Sequence, residues 1–315
     1  MVCHCEPFAM CHPERSPAPH SVRGEPKDLA FWLRINSVKQ SHWIGTGTIM
    51  RLPIITLLTD FGTKDHYVAS MKGVILSINP RCTLIDITHQ VSPNDIQEGA
   101  FLLSNSYSYF PKETIHLSVV DPGVGGIRKP ILLVTQNYFF IGPDNGLFAF
   151  VAQREKVKKV IVLTQQRYFL PKLSTTFHGR DLFAPVAAHL SLGIKPNSFG
   201  YETPSVKKLG FETPIVKEGK LSGKIVHIDT FGNLVSNIDE ELFVRVTKEH
   251  PYVIRLGKRK IHGLGKGYWE GKPGVPMALL GSGGFLEISI NKGNAEKALK
   301  VKKGDQVTVS VIGNQ

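Results

Sequence analysis

Cysteine almost disappears once the first residues are passed. Of the four cysteines in 315 residues, Cys3, Cys5 and Cys11 crowd the N-terminus and Cys82 stands alone in the remainder, so no disulfide framework holds the patterned part of the chain. Long apolar runs are missing too. No stretch nears the roughly 20 residues that a membrane span requires, and the start lacks a basic end followed by an apolar core. These absences set the expectation of a cytoplasmic protein that does not enter a membrane. Catalytic signatures of fixed spacing are also wanting: GxGxxG, HExxH, GxSxG and GxxxxGK[ST] do not occur. DFG at 60–62 and GRD at 179–181 come without a glycine-rich loop or a VAIK lysine, which excludes a protein kinase. Acids are in the minority, 26 against 38 Lys and Arg, which leaves a net charge of +12 and a pI near 9.5. Such an excess suits an anionic partner. GKRK (257–260) and KVKK (300–303), however, lie in alternating, strand-like segments without interleaved aromatics. A solvated basic face is expected, not a nucleic-acid surface.

What is present is patterned from residue 50 onward. Residues 1–49 hold four of the twelve histidines and scattered prolines without periodicity, so they are expected to be a disordered extension or a start assigned too early. Cys3, His4, Cys5, Cys11 and His12 lack paired ligand spacing, so neither a metal site nor a cofactor is expected. The remaining chain, in a sequence that is 42% hydrophobic, is long enough for two domains. The reading is α/β: an N-terminal α/β sheet domain over 50–200, an extended linker over 201–219, and a smaller C-terminal β-barrel domain over 220–315. The linker repeats YETPSVKKLG as FETPIVKEGK.

In the first domain PIITLLTDFG places Asp60 and Gly62 just past a continuous apolar run, the mark of a strand buried in a helix-covered sheet. A helix is predicted over 67–78 and ends at Asn79 and Pro80. CTLIDIT is a second strand, and residues 92–109 read as a helix capped by Ser92. TIHLSVV is the third strand and delivers Asp121. This β-α-β-α-β order places a ligand beyond the strand ends, where Asp60 and Asp121 both lie. VVDPGVGGIR then turns sharply on Pro122, Gly123, Gly125 and Gly126, bringing backbone close to whatever binds and returning Arg128 toward Asp121. His178 stands where FHGRD opens a helix whose free amides collect anions. In the second domain, short strands between glycine turns carry IDTFGNLVSNI, with Asp229, Phe231 and Asn233 around Gly232, and Ser282 in GSGG.

Six motifs occur in one order: TDFGTKDHYV, THQVSPNDIQEGA, VDPGVGGIR, GPDNG, FHGRD and DTFGN. Together they resemble the S-adenosyl-L-methionine hydroxide adenosyltransferase family, related to fluorinase and chlorinase, over about residues 52–313. The resemblance implies an α/β domain followed by a β-barrel, hydrolysis of S-adenosyl-L-methionine to adenosine and methionine, and a homotrimer with sites between subunits. It makes Asp121, Arg128 and His178 a water-activating triad and Asp60 the carboxylate that grips both ribose hydroxyls. Asp229 and Ser282 match positions at the methionine amino and carboxylate ends, Phe231 and Asn233 match positions near the adenosine, and Tyr67, Asn94 and Phe177 complete the substrate-binding set. The halogenating relatives have a tyrosine in place of Asp121, and fluorinase keeps a serine in place of Gly179. Water, not halide, is therefore the implied nucleophile.

The residue types support the same chemistry. Attack on a sulfonium annihilates charge, which a dry site favours. Arg128 stays protonated, so it is expected to polarise the water, with Asp121 orienting both and His178, the residue whose ordinary pKa suits the transfer, receiving the proton. Two alternatives stay open: a halide-dependent, chlorinase-like transferase on the same scaffold, and a non-catalytic protein that binds adenosine or nucleic acid.

Overall fold

Ile54–Thr59 (β1) runs through β-branched and leucine residues without a charged break, and it is covered on both faces, with Ile55, Leu57 and Leu58 fully buried. The computed structural model describes residues 52–210, 213–248 and 250–312; the extension expected over 1–49 lies outside them. After β1 come helix α1 (Tyr67–Ile78), β2 (Thr83–Thr88), α2 (Ile96–Ser106), β3 (Ile115–Val119), β4 (Pro130–Thr135), β5 (Phe139–Pro143), α3 (Ala149–Arg154), β6 (Val157–Leu163), α4 (Ala184–Ser191) and β7 (Gly200–Thr203). Seven strands form one sheet in the order β2-β1-β3-β5-β4-β6-β7. β1 is parallel to β2 and β3, and β3 to β5, while β4, β6 and β7 add on antiparallel.

Period-two alternation sorts the strand side chains between two cores. Ile55, Leu57, Leu117 and Leu132 face Met71 and Ile75 of α1 and the alanine-rich α4. Leu58, Ile131, Leu133 and Phe140 face Leu103 of α2 and Val151 of α3. The result is a sheet between two helix layers. Because β1 pairs on one side with β2 and on the other with β3, the chain reverses its direction of travel across the sheet between β1 and β3, and a crevice opens beyond their carboxyl ends.

The second sheet is antiparallel. It comprises β8 (Ile215–Lys217), β9 (Lys220–Ile228), β10 (Leu234–Asp239), β11 (Tyr252–Leu256), β12 (Arg259–His262), β13 (Pro276–Leu280), β14 (Phe285–Ile290) and β15 (Gln306–Val311), with helices α5 (Glu240–Thr247) and α6 (Ala295–Leu299). The order is β12-β11-β15-β9-β10-β14-β13, with β8 on β9, and edge strands β12 and β13 lie against each other in a nearly closed barrel. Leu221, Leu234, Ile254, Leu286 and Val309 fill its interior. The barrel meets α2: the His227 ring stacks on Phe101 at 5.1 Å, and Lys303 Nζ lies 2.5 Å from Asp95 Oδ2 and 3.5 Å from Glu98 Oε2.

Four local expectations change. The helix expected over 92–109 is α2 followed by a 3-10 turn over Tyr107–Tyr109, and its cap is Asp95, which accepts the Glu98 N–H at 2.9 Å. Ser92 cannot cap it because Asn94 adopts φ +65°, outside helical geometry. The helix expected from Asp181 begins instead with a π turn over Gly179–Phe183. The stretch read as a linker is extended, but its ends pair, as β7 on β6 and β8 on β9. KVKK follows α6 in a loop, not a strand.

Candidate active site

Asp60 and Asp121 come together at the crevice because β1 and β3 are neighbours in register, with Thr59 opposite Val119. The left-handed backbone of Asn94 turns its N–H to Asp60 Oδ2 at 2.8 Å. Burial raises the Asp60 pKa above the ordinary carboxylate value; the Asn94 amide opposes the rise and the Asp121 charge adds to it.

The loop after β3 is shaped by its glycines. Gly125 has φ +74°, and a Cβ there would stand 2.2 Å from the Thr175 carbonyl oxygen, so only glycine allows this loop to lie against the segment that leads to His178. Arg128 is thereby returned to Asp121. Its Nε donates to both carboxylate oxygens at 3.0 and 2.9 Å, and its Nη2 donates to Oδ2 at 2.6 Å. The pair is withdrawn from solvent, at 9% exposure for the guanidinium and 4% for the carboxylate. On the other side Nη2 lies 2.7 Å from His178 Nδ1. A guanidinium only donates, so Nδ1 accepts, and the proton of the neutral ring sits on Nε2. Burial lowers the His178 pKa and the Arg128 charge lowers it further, against smaller opposing effects of Asp121 and Asp181. Geometry and charge both hold His178 neutral, and its one acceptor lone pair, on Nδ1, is taken by Arg128.

Asp181 belongs to FHGRD, which in the sequence reads only as a helix opening, and it supports this arrangement. Fully buried, it accepts the Ser174 N–H at 2.8 Å and Arg180 Nε at 2.6 Å, and so closes the turn that presents His178. Phe177 is buried beside it, edge-on to Phe61 at 6.0 Å and to Tyr67 at 5.2 Å, and the Tyr67 ring is 40% exposed. The GPDNG motif is structural: Asn145 Nδ2 donates to the Val120 carbonyl, and Asp144 accepts the Lys207 N–H.

The residues predicted from the second domain stand apart from these. Asp229 Oδ1 accepts the N–H groups of Phe231 and Asn233 at 2.9 and 2.8 Å, and Oδ2 accepts Asn233 Nδ2 at 2.8 Å. This turn leaves the Phe231 ring 77% exposed. Asp229 and Ser282 line one cavity of about 190 Å³ with Phe101, Asn105, Phe285 and Glu287, and its lining includes none of Asp60, Asp121, Arg128 and His178. Among the described residues, no group of three or more His, Cys, Asp or Glu side chains could hold a metal ion.

Two family models match the chain: the SAM hydroxide adenosyltransferase N-terminal domain over residues 55–200 and the SAM hydroxide adenosyltransferase C-terminal domain over residues 223–308. The chain belongs to that family. Among its SAM hydroxide adenosyltransferase relatives, the "(R)-S-adenosyl-L-methionine hydrolase" of Methanocaldococcus jannaschii is 37% identical over 271 residues, 82% of this chain and 96% of the relative. The protein of the same name from Thermus thermophilus is 33% identical over 79% of this chain and 96% of its own length. A "Fluorinase" from an Actinoplanes species is 26% identical over 82% and 97%. Among solved structures, an uncharacterized conserved protein from Thermotoga maritima superposes with a TM-score of 0.77 at 37% identity, covering 81% of this chain and 99% of that one.

Proposed function

We propose that the protein hydrolyses S-adenosyl-L-methionine to adenosine and L-methionine, with water attacking the ribose 5' carbon. One observation carries the reading: the trio of Asp121, Arg128 and His178 is closed on itself except where a single water needs it. Nη2 and Nε of Arg128 are taken by Asp121 and His178, and Nη1 is the guanidinium nitrogen with no partner among the described residues. His178 Nε2–H is a second donor. Asp121 Oδ1, which accepts only from Nε, keeps a lone pair for a water proton.

The oxygen–C5' bond forms as the C5'–sulfur bond breaks, and its electron pair leaves with the neutral thioether. The oxygen that attacks becomes strongly acidic as it bonds to carbon, so even a carboxylate paired with a guanidinium takes its proton. Asp121 is thus assigned the role expected of His178, and His178 holds Arg128 and the water in line. Asp60, at the adjoining strand end, is assigned to the ribose hydroxyls through charge-assisted hydrogen bonds.

The site is proposed to lie between copies of the chain in a homotrimer. The cavity at Asp229 and Ser282 has room for an amino-acid end but not for a whole nucleoside sulfonium, and the exposed side chains of Tyr67 and Phe231 offer adenine two faces that no described residue covers.

A halide-dependent reading is permitted by Gly179 but disfavoured at Asp121, whose carboxylate, withdrawn from solvent beside Arg128, repels an anionic nucleophile. Incubation with each sulfonium epimer of S-adenosyl-L-methionine, with and without chloride, tests the reading by product mass. Adenosine and methionine, independent of chloride, are expected, with the R epimer preferred, as the relatives' names suggest. A 5'-chloro nucleoside, or no turnover, would overturn it.

A further inference from the structure

The two basic motifs, GKRK over 257–260 and KVKK over 300–303, take no part in the proposed reaction, and the fold brings them together. Gly257, at φ +56°, and Lys258 form the tight turn between β11 and β12, and Arg259 opens β12. Lys300 caps α6 with a left-handed backbone, φ +54°, from which the chain leaves the helix for β15. Arg255 lies on the outer face of the barrel because Ile254 and Leu256, on either side of it, fill the core. Lys220 begins β9, and β15 lies between β9 and β11. Lys220, Arg255, Lys258, Arg259 and Lys300 thereby line one cavity of about 600 Å³. Asp305 is the single acid in that lining, and its Oδ2 already accepts the Lys302 N–H at 2.8 Å. None of the five cations has an ion pair or a side-chain hydrogen bond among the described residues. Lys303, by contrast, is taken by Asp95 and Glu98 at the start of α2.

A basic face that is merely solvated spreads its charges apart. Here cations from separate segments converge on a concave surface, where they repel one another and focus a positive field until an anion enters. Arginine and lysine together suit phosphate oxygens, the first through paired donors and the second as a compact charge. No aromatic side chain lines the cavity, so a nucleobase has nothing to stack on, and the enclosed volume fits a small ligand and not the rod of a duplex. We infer that this cavity is a further binding site, which takes a small anion carrying several phosphate groups and no base. None of the residues assigned to the reaction lines it, so the inference stands apart from the hydrolase reading.

Calorimetry on the full-length protein, with inorganic triphosphate as the probe, tests the site. One triphosphate should bind per chain, with an affinity that falls steeply between about 50 and about 200 mM NaCl because salt screens exposed charges. Orthophosphate, with fewer charges, should bind more weakly. Arg259→Gln and Lys300→Gln each neutralise one cation, in different motifs, and each should raise the Kd for triphosphate about fivefold. Both side chains are exposed, so melting temperatures should match that of the wild type, and Arg255→Gln serves if either variant does not fold. Lys112→Gln removes an exposed charge from the first domain and should leave the Kd unchanged. Both losses are required, since the site is built from both motifs. Absence of triphosphate binding, or an equal loss in all three variants, which would mean attraction to net charge alone, overturns the inference. A short DNA duplex at equal phosphate concentration should not displace triphosphate; displacement would make this face a nucleic-acid surface and overturn the small-anion class.

Discussion

His178 turns on which of its nitrogens faces Arg128. Because Nδ1 accepts from the guanidinium, protonating the ring would set two cations 2.7 Å apart and break the contact that aligns the trio. The ordinary imidazole pKa is near 6.5 and burial lowers it here, so the neutral, working form persists below pH 6.5 and is lost as pH falls through the shifted value. The acidic limb of kcat should therefore lie below pH 6.5. His178→Ala should remove about two orders of magnitude of kcat by loss of alignment. Asp60 behaves oppositely: its pKa is raised, so its charged form is lost as pH falls through a value above 3.8, and the effect should appear in KM. Asp60→Asn should raise KM at neutral pH and flatten that dependence. Rate profiles of the three proteins check both assignments, and a kcat limb above pH 6.5 that His178→Ala abolishes would return the proton to the imidazole. The residue types at 60, 121, 128 and 178 were legible in the sequence. The tautomer of His178 was not, since it depends on a contact across 50 residues.

The glycine loop and the helices around it carry these side chains, and the loop admits a controlled experiment. Gly125→Ala combines a left-handed φ of +74° with a Cβ placed 2.2 Å from the Thr175 oxygen, whereas a Cβ at Gly123 meets nothing closer than Arg128 Cγ at 3.4 Å. The first substitution should cost at least about 1–2 kcal/mol of stability and lower kcat at least tenfold by parting the Arg128 and His178 segments. The second should leave both nearly unchanged, and equal melting temperatures and rates for the two variants would contradict this account of the loop. Elements ended by local chemistry were readable from sequence. Helix α1 spans the residues expected of it because Asn79 and Pro80 stop it. Elements settled by distant partners were not. Asp60, just past the end of β1, holds the backbone at Asn94 and moves the α2 cap to Asp95, and the ends of the linker are strands because β6 and β9 offer them free edges.

At the scale of the whole molecule, the proposed site has two parts, one at the ends of β1 and β3 and one at the cavity lined by Asp229 and Ser282. If copies share them head to tail, an Asp121→Ala chain and an Asp229→Ala chain, each inactive alone, complement when refolded together. Random mixing should restore about a quarter of the sites. No recovery would place a complete site within each chain. The two-domain plan was legible in the composition and strand spacing, whereas the separation of the two sets of site residues follows from how the barrel docks on α2. The central claim is the attack of water on the ribose carbon, and turnover of S-adenosyl-L-methionine in oxygen-18 water tests it most directly. The label should appear on the 5' oxygen of adenosine, with none in methionine; unlabelled adenosine, or label recovered in methionine, would contradict the account.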